Sequence, residues 1–84
     1  MNREKEIKKC LKLAASNRFL AKRTETVGPL PVKGMPMPAR YYIARAEQHE
    51  AVAECFRRYP QFTGSGKASA ALFEKVYEQR RTIR

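Results

Sequence analysis

Four prolines fall within ten residues, at Pro29, Pro31, Pro36 and Pro38, with Gly28 and Gly34 among them. Proline has no N–H to donate, and it pushes the residue before it out of the helical region. Neither a helix nor a central strand can therefore cross this stretch, and residues 24–39 are expected to form an extended arm of polyproline type. Helices must form on either side of it. A fifth proline, Pro60, divides the remainder. Between Pro38 and Pro60 lies Arg40–Tyr59, free of Gly and Pro, with apolar residues at three- and four-residue spacings. The period predicts a helix in which Tyr41, Ala44, Val52, Cys55, Phe56 and Tyr59 share a face with Gln48. Ile43, Glu47, Glu50, Glu54, Arg57 and Arg58 then lie opposite.

Residues 1–23 carry eight basic side chains and two acidic ones. They read as a basic amphipathic helix over about 3–21, with Ile7, Cys10, Leu11, Ala14 and Ala21 on one face. Lys5, Lys8, Lys9, Lys12 and Arg23 make a stripe on the other. Ser16 and Asn17 are weak helix formers that could end this helix or cap a second one. Beyond Pro60, Thr63 or Ser65 can cap a third helix over about 67–81, with Ala68, Leu72, Val76 and Ile83 along its seam and Phe73 alongside. The expected fold is thus all-α: one small three-helix domain, with a long Pro-rich arm between the first helix and a helical hairpin in 40–84.

Size limits what such a domain can do alone. The chain has 84 residues, no Trp and a mean hydropathy of −0.64, and eleven of its apolar residues are alanines. So small a core needs help from a disulfide, a metal or a partner. Cys10 and Cys55 are the only cysteines and His49 the only histidine. No metal-ligand spacing and no secretory leader is apparent, so two packed thiols in a reducing, intracellular compartment are expected, with no cofactor and no metal. No apolar run approaches the roughly 18–20 residues needed to cross a bilayer. A partner remains. The arm carries Val27, Leu30, Val32, Met35 and Met37, which either fold back on the helices or dock on a neighbouring protein.

The charge points to the other partner. Lys and Arg exceed Asp and Glu by 18 to 8, a net charge of +10. The excess sits mostly at the two ends, and Arg40–Tyr59 is nearly neutral. Such a domain attracts polyanions. Candidate phosphate contacts are Lys5, Lys8, Lys9, Lys12 and Arg23 on the first helix, Lys67 beside the Gly64–Gly66 turn, and Arg80, Arg81 and Arg84 at the end. Tyr42 and Tyr77 lie off their seams and are free to stack on bases.

Enzymatic signatures do not assemble. Gly64-Ser65-Gly66-Lys67 has Gln61 and Ala68 where a phosphate-binding loop of the nucleotide hydrolases requires Gly and Ser or Thr. A single phosphate at that helix start is the milder reading. Cys55 and His49 project about 120° apart on one helix and cannot meet there. Glu47, Glu50 and Glu54 form a carboxylate row. Glu54 has Arg57 and Arg58 at i+3 and i+4, the spacing of surface ion pairs, so the row reads as a solvated face or a contact for a basic neighbour. The chain is therefore expected to be a non-enzymatic accessory component of a larger assembly. It would contact RNA in preference to DNA, together with at least one protein neighbour. A subunit of a protein-only or membrane-associated complex, or a small phage- or plasmid-type DNA-binding or host-inhibitory regulator, are the alternatives.

Overall fold

The computed structural model describes residues 2–28 and 37–82. Helices are the only regular elements among them: Arg3–Val27 (α1), Ala39–Arg58 (α2) and Gly66–Thr82 (α3). The fold is all-α, as expected. The second and third helices start and stop within a residue or so of where the prolines and the loop place them.

The first helix is longer than its sequence suggests. Asn2 opens it by accepting a hydrogen bond from the Lys5 amide at 3.1 Å. Glu4 and Glu6 lie in the first turn, where the helix dipole favours them. Ser16 and Asn17 do not end it. The Asn17 side-chain amide donates to the Leu13 carbonyl at 2.8 Å, so the side chain bonds inside the helix. Thr24 to Val27, expected in the extended arm, form its last turn. Gly28 then stops it with φ of 87°, a value costly for any residue with a Cβ, and donates its N–H to the Thr24 carbonyl. Residues 29–36, the rest of that arm, lie outside the described residues.

α1 and α2 pack antiparallel. At one end Arg3 donates to the carbonyls of Phe56, at 2.9 Å, and of Phe62, at 3.0 Å, and also to that of Pro60. Its guanidinium lies 5.7 Å from the Phe56 ring centroid. One cation at the start of α1 thus satisfies carbonyls that the end of α2 leaves unpaired. Along the seam, Cys10, Ala14 and Ala21 of α1 are buried, whereas Leu11 stands 38 % exposed.

The core sits around α2, which is covered on two sides. By the helical period, Ala46 and Ala53 lie on the side of Phe56, which α1 reaches. Ala51 and Cys55 lie on the opposite side and cluster with Val76 of α3, with Phe62 and with Phe56, which joins the two sides. Phe56 and Phe62 meet edge to face, centroids 4.8 Å apart. Two coverings displace the single expected stripe: Ala46, Ala51 and Ala53 are fully buried, while Tyr41 is 36 % exposed and Gln48 is exposed. In α3 the seam runs through Ser69, Leu72 and Val76 to Arg80, one residue on from the Ala68 expected there.

Candidate functional site

The cations of α1 separate into two groups by the face they occupy. Arg3 and Arg18 turn toward the other helices. Lys5, Lys8, Lys9, Lys12, Lys22 and Arg23 are all exposed, and none has an ion pair among the described residues. At 100° per residue these six fall within an arc of about 140°, and from Lys5 to Arg23 they extend about 27 Å along the axis. Continuity of α1 past Ser16 makes this one surface: Lys22 and Arg23 prolong the stripe of the first turns. Phe19, 67 % exposed, lies at the middle of that arc, between Lys12 and Lys22 along the axis. A shallow groove of about 290 Å³ beside it is lined by Phe19, Lys22, Arg23 and Thr26.

The carboxylate row of α2 is not a solvated face. Glu47 is buried, and Glu50 and Glu54 line a cleft of about 480 Å³ with Arg18 of α1 and Arg80 of α3. Glu50 accepts from Arg18 at 2.8 and 3.0 Å and from Arg80 at 3.1 Å. Glu54 accepts from Arg80 at 3.3 Å and from Arg58, one turn on, at 3.2 Å. Hydrogen bonding to Arg18 outweighs burial and holds the Glu50 carboxyl below its ordinary range, and the same bond raises the Arg18 guanidinium. Three helices thus meet through one ion-pair network. Arg58 was expected in a surface pair and does bond Glu54; Arg57 makes no ion pair among the described residues.

The remaining expected contacts scatter. Arg80 is engaged with Glu50 and Glu54, because it continues the α3 seam that faces α2. Arg81 reaches Glu78 at 3.6 Å and lies 5.7 Å from the Tyr77 centroid. Lys67 is exposed in the first turn of α3. Beside it, the Thr63 amide donates to the Ser69 hydroxyl at 3.0 Å and the Ser65 amide to the Thr63 hydroxyl at 3.4 Å. Those two N–H groups are thereby used within the chain. Tyr77 stacks on Phe73 at 5.5 Å, and Tyr42 meets Tyr41 at 5.4 Å. Of the expected docking strip, Val27 is 70 % exposed at the end of α1 and Met37 is half-buried ahead of α2. Leu30, Val32, Met35 and Arg84 lie outside the described residues.

Neither cysteine is hydrogen-bonded to His49. Cys10 and Cys55 are buried free thiols, pushed above their ordinary range by burial first and then by Glu6 and Glu54 respectively. His49 is lowered by burial and by Arg45, which favours the neutral ring. Among the described residues no group of three His, Cys, Asp or Glu side chains could hold a metal ion, and no helix is long and apolar enough to cross a membrane.

Sequence reasoning missed Arg18, Lys22 and Phe19. Arg18 and Phe19 lie within the helix expected over 3–21 and Lys22 one residue past it; the helical period sets Phe19 and Lys22 on the basic face and Arg18 beside it. The chain matches no family model, and comparison with curated proteins and with solved structures finds no match.

Proposed function

We propose that this chain is a non-enzymatic accessory component that binds the phosphate backbone of nucleic acid, RNA in preference to DNA, through the outer face of α1. The observation that carries the reading is the set of six exposed, unpaired cations on one helix face. Like charges at i, i+3 and i+4 repel, and no ion pair among the described residues relieves them. A polyanion does so, releasing its condensed counterions as it binds. At about 3.4 Å per phosphate along one strand of a duplex, the 27 Å stripe faces about eight phosphates.

Two features weigh against a reader of duplex DNA sequence. The α2–α3 connection, residues 59–65, is longer than the tight turn of a helix-turn-helix. Arg80, which such a reader would present, is held by Glu50 and Glu54. Contact is therefore with backbone, and specificity comes from whatever neighbouring protein holds the chain in place. Val27 and Met37, at the two ends of the arm, begin the surface that would meet that neighbour.

Charge reversal tests the assignment. Lys8→Glu with Lys12→Glu is expected to weaken binding to a labelled RNA hairpin by about tenfold or more at low salt. Arg40→Glu with Lys75→Glu alters net charge equally, but away from the stripe, and should cost less than about threefold. Equal losses in the two variants would show a diffuse attraction and overturn the assignment to α1.

A further inference from the structure

We propose that Phe19 is a base-stacking anchor, so that the outer face of α1 takes a single-stranded segment of nucleic acid more tightly than a duplex. The inference rests on the phosphate reading above and deepens it. Phe19 is 67 % exposed, on the centre line of the cationic stripe. Lys22 and Arg23 follow it at i+3 and i+4, lining the groove at its side, and Lys12 lies two turns back on the same face. One turn back stand Ala15 and Ser16, both exposed and too small to cover the ring. The arrangement is an accessible π-face flanked by cations, which is how single strands are held without sequence preference: bases stack on the aromatic ring while the backbone follows the charges. In a duplex the bases are already stacked on each other, so the ring has nothing to take.

The surroundings argue against a lipid surface. An interfacial helix buries a broad apolar face, whereas Phe19 has Lys22 and Arg23 beside it in the next turn and Lys12 two turns before it. The other large exposed apolar groups on the helix, Leu11, Leu13 and Val27, project about 80°, 120° and 80° away, Leu11 on one side and the other two on the opposite side.

The chain contains no Trp, so Phe19→Trp in the full-length protein places a single reporter on this face. Its fluorescence should be quenched by an oligoadenylate strand, and much less by an RNA duplex with the same number of phosphates. Phe19→Ala should lower affinity for the strand about tenfold. Duplex affinity should stay within about twofold and the salt dependence should not change, since no charge is lost. Phe19→Tyr should retain the strand preference, and circular dichroism of each variant should match the parent because the ring is not in the core. Loss of strand affinity in Phe19→Tyr as in Phe19→Ala, or salt-dependent binding that ignores Phe19→Ala, overturns the stacking inference and leaves the phosphate reading standing. Absence of binding to either form at low salt overturns both. Phe19-dependent binding to vesicles of anionic phospholipid, without binding to RNA, would replace nucleic acid with a membrane surface.

Discussion

Glu50 shows how a residue that looks peripheral in the sequence can hold three helices together. In the sequence it belongs to a carboxylate row read as a solvated face, yet its partners are Arg18 and Arg80, 32 positions before and 30 after it. Partners so distant in sequence leave no local signature. The folded state favours the ionised carboxylate, so the stabilisation is complete above the ordinary value of 4.5 and is lost as pH falls through the depressed folded value. His49 acts in an earlier window: the folded state favours its neutral ring, so stability declines once pH drops below the ordinary value of 6.5. Glu50→Gln should cost about 1 kcal/mol at neutral pH, a modest figure because both arginines are partly exposed. It should also remove the acid step below pH 4.5 while leaving the decline that starts near 6.5. Denaturant unfolding of both proteins from pH 3 to 8 checks this, and an unchanged acid step would contradict it.

At the scale of elements, the alanines change meaning. Counted as composition, eleven alanines suggest a chain short of core. In the structure Ala14 and Ala21 of α1, and Ala46, Ala51 and Ala53 of α2, are among the buried residues, and small side chains let helices approach closely. Ala53→Leu, at a fully buried position, should therefore destabilise the fold by about 1–3 kcal/mol despite adding apolar surface. A gain in stability on denaturant unfolding would mean the interface is loosely packed. The helices themselves were largely legible. Pro38 and Pro60 bound α2 because proline chemistry is local, and the loop after Pro60 sets the start of α3. The extent of α1 was not legible. Ser16, Asn17, Thr24 and Thr26 all have weak helix propensity, and packing along α2 outweighs it. Arg23 was placed in the basic stripe although the expected helix stopped short of it, whereas Lys22 and Phe19, on the same face by the helical period, were not. The basic stripe itself could be read because charge and helical period are both visible in sequence. The inward turn of Arg80 could not, because it depends on the seam of α3 lying one residue from where Ala68 suggested.

Across the whole molecule, the net charge of +10 is not spread evenly over its helices. Glu50 and Glu54 of α2 are engaged in internal pairs, α3 commits Arg80 to them, and the outer face of α1 is left with six cations that make no ion pair among the described residues. If this face binds phosphates as proposed, affinity must depend steeply on salt. With each neutralised phosphate contributing about 0.7 to the slope for a single strand, six contacts predict that log affinity falls with log salt at a slope near −4. Lys8→Glu with Lys12→Glu should reduce the magnitude of that slope by at least about 1.4, as two contacts are lost. Fluorescence anisotropy of the full-length chain with a labelled single-stranded RNA, titrated from 50 to 300 mM salt, gives both numbers. A slope near zero, or one that the double variant leaves unchanged, would contradict the claim.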